Sequence, residues 1–405
     1  MMQHLSPSRM AAYRSLVLAC ATFLSAGVIL SSLGPTLPLL ATRVAQNVAA
    51  LGGLFTAFSA GVIVAQFVIE PATRRLSQRR ILPASMLLMG IGALGVTLGH
   101  SLPALLGAAL LAGVGFGGVL AAGNLLVAQL FPARSAAALN GVNLFFGMGS
   151  ILGPALAGRA GAYFGAPQIG LWVGAGAMVT LAPMMLSFAA VRLLPQATPG
   201  AASSPAHRGR RWLFGLLLLV YIGTEVGFGG WLTLYMVASA KLDLSIAALV
   251  TSGFWLALTA GRAIGAGLGF RLAPNRLLQI SLLGLLIAAT LLIIGVGDYN
   301  LTLAAVLLFG ISCGPVFPTV VALVARESAG ATSLALGLGN GGGLIIPALL
   351  GLLLAQRGPS AAAGLVLAAS LVMIAIGIAT MRMSRVDHRS SQDAMHPSAA
   401  PNQCS

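Results

Sequence analysis

The sequence predicts an all-α membrane protein: twelve transmembrane helices in two six-helix bundles. Three observations carry this: a composition too apolar for a soluble surface, uncharged stretches long enough to cross a bilayer, and a polar interruption after the sixth of them. Hydrophobic residues make up 58% of the 405 and charged residues 7%, with a mean hydropathy of +0.96, whereas soluble domains carry roughly 25% charged residues. A helix needs about 20 apolar residues to cross hydrocarbon. Spans are expected at 15–34, 50–70, 82–99, 103–130, 136–158, 168–191, 212–236, 246–270, 277–297, 301–325, 332–356 and 360–381. Backbone groups must be paired in lipid, so spanning elements are helices or a closed barrel. These runs are too long and too continuously apolar for barrel strands. The first run lacks a small-residue cleavage site, so it is expected to stay as a span rather than leave as a signal peptide.

The net charge of +15 raises the question of nucleic acid, and the placement of the charges answers it. With the N-terminus inside, 17 of the 22 basic residues fall in cytoplasmic segments, and only Arg43, Arg159, Lys241 and Arg357 fall outside. The positive-inside rule expects that asymmetry of an even number of spans. The expected location is therefore the inner membrane, with both termini cytoplasmic and no nucleic-acid partner. Cys20, Cys313 and Cys404 show no metal or disulfide spacing, and no metal or cofactor is expected.

Five regions follow: an N-terminal tail (1–14), a first bundle (15–192), a linker (193–211), a second bundle (212–382) and a disordered tail (383–405). The linker is rich in Pro, Ala and Ser and ends on a basic cluster. Six spans either side of a linker are the arrangement of a duplicated carrier with its site at the midplane.

Several local patterns then resemble the major facilitator superfamily, over nearly the whole chain. ATRRLSQRRIL between the second and third spans looks like the family's basic loop motif, with Arg75, Arg79 and Arg80 at basic positions. It departs from it at Arg74, where the family has Asp, and at Ser77, where it has Gly. The same arginines also read simply as topology determinants. In the fifth span, GMGSILGPALAG sets Gly149, Gly153, Pro154 and Gly158 at the spacing of a motif that the family associates with antiporters. As physics, that spacing means close packing and a bend. YIGTEVGFGGW, GPVFPT and NGVNLFFGMGSILGP together resemble the fucose, galactose and glucose proton symporter branch. That branch has acids in its first and fourth spans. Here the first has Ser31 and Ser32 and the fourth has no acid.

Of seven acidic residues only Glu225 falls well inside a span, the seventh. A carboxylate there costs a few kcal/mol, so it faces a cavity, pairs with a cation or takes a proton. Burial favours the neutral form of a carboxyl, as proton coupling requires. Glu225 is the expected proton-coupling residue, although a fixed hydrogen bond to a neighbouring helix also accounts for it. Tyr221, Thr224 and Trp231 lie close by in sequence, and Asn124, Asn143 and Asn340 bring carboxamides into the fourth, fifth and eleventh spans, as does Asn140 in the fifth. Polar groups beside aromatic rings suit a sugar or polyol, so the first six of these are expected substrate contacts. Each Asn reads equally as an interhelical bridge. Pro315 and Pro318 in the tenth span, and five glycines between 337 and 343 in the eleventh, mark expected gating segments. Arg262, the one cation in a span, either snorkels to the interface or pairs with Glu225 or an anionic solute.

No enzyme constellation occurs, neither a His or Cys cluster nor a phosphate-cradling loop. The resemblance implies a monomeric secondary active transporter working by alternating access, carrying a sugar or polyol with a proton. Proton-coupled export of drugs or metabolites remains open, as does a transporter-like receptor or scaffold without turnover.

Overall fold

The structure is a computed structural model that describes residues 7–75, 78–188, 205–326 and 329–395. The first half comprises α1 (Pro7–Arg43), α2 (Gly52–Arg75), α3 (Gln78–Leu98), α4 (Leu102–Leu130), α5 (Ser135–Phe164) and α6 (Ile169–Phe188). The second comprises α7 (Pro205–Ala240), α8 (Leu244–Leu268), α9 (Pro274–Ile294), α10 (Tyr299–Cys313), α11 (Val316–Ala325), α12 (Ala329–Arg357) and α13 (Pro359–Met395). Helices long and apolar enough to cross a membrane number 12 among the described residues, α10 and α11 together forming the tenth span.

Local chemistry sets several ends. Asp298 caps α10 by accepting from the Leu301 N–H at 3.0 Å. Gly165, in the left-handed region at φ 62°, closes α5 by returning its N–H to the last turn. Three boundaries depart from the sequence reading. α1 runs nine residues past 34, through Pro35 and Pro38, because leaving helical geometry inside hydrocarbon costs more than two missing N–H groups. α7 starts at Pro205, inside the assigned linker, and proline suits a first turn whose N–H groups have no helical partner. α13 continues to Met395, so residues 383–395 are helical where a disordered tail is expected.

Glycine seams hold each half together, and they repeat. A Cβ on Gly61 would strike the Leu110 carbonyl and one on Gly113 the Phe58 carbonyl, joining α2 to α4. In the second half Gly261, 200 positions after Gly61, meets the Ile311 carbonyl, and Gly314, 201 positions after Gly113, meets the Leu258 carbonyl, joining α8 to α10. Likewise Gly149 against the Leu24 carbonyl (α5 on α1) repeats as Gly342 against the Leu219 carbonyl (α12 on α7). The two halves are thus structural repeats, as in carriers whose bundles move against each other. Helices in lipid gain no hydrophobic drive from one another, so backbone-close packing of this kind carries the association.

The halves meet through α1 with α7, α2 with α12, and α5 with α8. A Cβ on Gly34 would strike the Gly230 carbonyl, the Thr56 hydroxyl donates to the Leu344 carbonyl at 2.8 Å, and Gly158 packs on Ser245 and Ala248. These contacts gather toward the end carrying the α1–α2, α5–α6, α7–α8 and α12–α13 connections. Gly147 still touches Thr259 near mid-span. Asn143 and Asn140 lie one and two turns farther along the same face of α5, yet both are exposed. The contacts between the halves are thus concentrated toward one end, and these two carboxamides toward the other are exposed.

Candidate functional site

The short α7–α8 connection, residues 241–243, makes these helices antiparallel neighbours. Glu225 lies 15 residues before the end of α7 and Arg262 lies 18 after the start of α8, a difference in depth of about 5 Å that a long arginine side chain spans. Arg262 Nη2 stands 3.4 Å from Glu225 Oε1, with the two side chains 33% and 12% exposed. Arg262 therefore pairs with the acid rather than snorkelling to an interface. The contact is single and longer than the 2.7–2.9 Å of a tight charge-assisted bond. The remaining N–H groups of the guanidinium meet no other carboxylate among the described residues. A pair so made is readily exchanged for another partner.

Around the pair the polar atoms are firmly placed. Tyr221, one turn before Glu225, is 1% exposed and donates its hydroxyl to the Cys313 carbonyl at 2.8 Å. Cys313 is the last residue of α10, where the tenth span breaks at Gly314–Pro315 before α11. Pro315 lies at the break and packs on Gly265; Pro318 follows in the first turn of α11 and is exposed.

Other expected contacts are placed differently. Thr224 is buried and donates to the Val220 carbonyl at 2.7 Å. Trp231 is 1% exposed, donates to the Pro347 carbonyl at 2.8 Å, and packs on Phe55 with ring centroids 5.8 Å apart. In this conformation Tyr221, Thr224 and Trp231 face protein rather than an open vestibule. Their faces of α7 are taken by α8, α10, α12 and the first half. Asn143 is exposed and donates to the Leu139 carbonyl of its own helix at 2.9 Å. Asn340 is partly buried on α12, and Asn124 on α4 keeps a buried Oδ1 with no hydrogen-bond partner. Gly149 and Gly153 pack on α1, Gly158 packs across to α8, and Pro154 is buried between them. Arg80 is exposed, while the side chains of Arg75 and Arg79 lie outside the described residues.

One residue escaped the sequence reading. Trp255 is 6% exposed, its ring lies against Gly229 one turn from Glu225, and its indole N–H has no partner. It stands seven residues before Arg262, two turns along the same face of α8. That spacing was the available signal, obscured because no charge marks the residue. By the repeat register the first-half counterparts of Glu225 and Arg262 are Leu30 and Val62. Leu30 borders an apolar cavity with Leu33, Phe58 and Leu171. The ion pair of the second half thus has no charged counterpart in the first.

Fold and site together define a polytopic membrane protein of two repeated helical bundles, with a charge pair between α7 and α8 of the second. The chain belongs to the Major Facilitator Superfamily, whose family model matches residues 18–340. Sodium-dependent glucose transporter 1 of Danio rerio is 23% identical over 379 residues, which cover 83% of this chain and 63% of the relative; the chain thus spans less than two thirds of that protein. The Homo sapiens protein of the same name is 23% identical over 82% of this chain and 72% of its own length. A putative glucose/galactose transporter of Helicobacter pylori is 30% identical over 148 residues, 35% of each chain. Among solved structures, nucleoside transporter NupG superposes with a TM-score of 0.71 at 14% identity, over 93% of this chain and 99% of that one. A bacterial homologue of the human lysosomal transporter Spinster, inward-facing and unoccupied, gives 0.72 at 14% identity, over 94% of this chain and 98% of that one. These structures share its fold.

Proposed function

We propose that this protein is a secondary active transporter that moves a small polar solute, a sugar or polyol, together with a proton by alternating access. The Glu225–Arg262 pair carries the reading. Ionisable groups within spans are expensive, and they are retained where they meet a cargo, a proton or each other beside a water-filled path. Here Glu225 sits near the middle of its span and Arg262 reaches it from α8 through a single contact of 3.4 Å. Protonating Glu225 removes the charge that holds Arg262 and frees the guanidinium's donors for solute hydroxyls. The glucose transporters among the relatives support a sugar as the cargo.

The loops with most of the arginines then face the cytoplasm, the location is the inner membrane, and the conformation described is open inward. A single copy suffices for transport. Asn143 and Asn340, with Trp255, complete the solute contacts as the halves rock. Tyr221, Thr224 and Trp231 brace the acid from behind.

The experiment is a thermal-shift series on the detergent-purified protein with D-glucose, D-galactose, polyols and cationic dyes, followed by counterflow of labelled D-glucose in vesicles. A ligand that favours the folded state raises its melting point. A shift with a sugar, matched by exchange, is the expected result. A shift with dyes alone moves the assignment to proton-coupled export, and binding without exchange moves it to a receptor.

A further inference from the structure

The halves meet along α5 and α8 in an antiparallel register. Gly147 packs on Thr259 at one end of this seam, and Gly158 packs on Ser245 and Ala248 at the other. One turn in from Gly158 and Ala248, on the same two faces, Pro154 of α5 comes opposite Ser252 of α8. Trp255 follows one turn after Ser252, with its ring against Gly229 of α7.

The polar groups of this stretch are of two kinds. Thr251 and Thr259 donate their hydroxyls to the Ala247 and Trp255 carbonyls, at 3.1 and 2.8 Å, as hydroxyls inside helices commonly do. Ser252 and Trp255 are 7% and 6% exposed, and Ser252 Oγ and Trp255 Nε1 have no hydrogen-bond partner among the described residues. Across the seam Pro154 has no N–H, so the Ser150 carbonyl one turn before it loses its helical donor. Unpaired polar groups are costly to bury, and three of them converge here. An indole N–H only donates, a carbonyl only accepts, and a serine hydroxyl does both. A cation would be repelled by the N–H and an anion by the carbonyl, whereas a hydroxyl accepts from the one and donates to the other.

We propose that Ser252 and Trp255, with the Ser150 carbonyl, form a hydroxyl-binding subsite for a neutral sugar or polyol, sealed while α5 meets α8 as here and uncovered when the halves part. This rests on the transport reading and adds to it a residue, the solute group it takes and the conformation in which it does so. The subsite stands about 10–15 Å from Arg262 along α8, toward the α7–α8 connection, where a solute entering from that side meets it before the ion pair.

The test is the rate at which N-ethylmaleimide labels Ser252→Cys in full-length protein whose three native cysteines are replaced by serine. Ala257→Cys, buried on the same helix against Gly310 of α10, is the control. D-glucose, D-galactose and sorbitol are the probes. At about ten times its Kd, a probe that occupies the subsite should slow labelling of the Ser252→Cys thiol about tenfold and leave the Ala257→Cys rate within about twofold. Ser252→Ala removes one unpaired oxygen, so its solute-free melting point should be unchanged or higher and its sugar-induced shift smaller. The subsite is overturned if the Ser252→Cys thiol never labels, if no probe slows it, if both positions slow equally, or if Ser252→Ala melts lower without solute. Counterflow of labelled D-glucose by the parent is measured alongside. Exchange without protection removes the subsite and leaves the transport reading standing, protection without exchange does the reverse, and the absence of both overturns both.

Discussion

At the scale of single residues, burial without a partner is the informative condition. The Trp255 indole N–H is buried beside Gly229 with nothing to receive it, and an unsatisfied buried donor costs about 1–3 kcal/mol. Replacing it with phenylalanine keeps an aromatic ring against Gly229 and removes the donor. Trp255→Phe should therefore leave the solute-free melting point unchanged or higher, while weakening sugar binding in the thermal-shift series. A lower solute-free melting point would mean that the N–H has a structural partner. Glu225 was recognisable from the sequence alone because a lone acid in an apolar span stands out. Its pairing with Arg262 also had a signal, the similar distances of the two residues from a tight turn, but the sequence left that pairing open beside snorkelling to the interface and binding of an anionic solute. Tyr221, Thr224 and Trp231 are adjacent to the acid in sequence, yet a helix sends neighbours to different faces, and theirs are covered.

At the scale of helices, the glycines are structural contacts between backbones. Gly342 faces the Leu219 carbonyl so closely that a methyl group has no room, whereas Gly364 on α13 has nothing within 4 Å. Gly342→Ala should destabilise the protein by roughly 1–3 kcal/mol, the usual penalty of overpacking, and Gly364→Ala should be neutral or mildly stabilising. Unfolding of both variants in mixed micelles, compared with the parent, checks the difference. The fifth-span pattern Gly149, Gly153, Pro154 and Gly158 falls under the same rule: it packs α5 on α1 and α8. Span number and type could be read from hydropathy, but span ends could not. Proline signals a helix end in water, whereas in lipid the helix of α1 persists through two prolines. The break at Gly314–Pro315 appeared where two prolines and two glycines crowd together, although only Pro315 sits at it.

For the molecule as a whole, the repeat could be expected from six spans on either side of a linker, while its register came from seams that pair residues far apart in the chain. The end where the contacts between the halves gather offers a direct constraint on rocking. Gly343 would bring a Cβ to 3.0 Å from Ser59 Cβ across the halves, near enough for a disulfide after a small adjustment. In a cysteine-free background, Ser59→Cys with Gly343→Cys should cross-link under oxidation and arrest solute exchange, with recovery on reduction. Exchange at full rate in the cross-linked protein would show that the halves need not part there.

The most direct measurement compares proton and sugar movement in one preparation. Vesicles containing the parent protein should acidify inside when D-glucose is added outside. Glu225→Gln should abolish that acidification and retain exchange of labelled glucose within a fewfold of the parent. Continued acidification by the glutamine variant, at a rate matching the parent, would contradict the role given to this carboxyl.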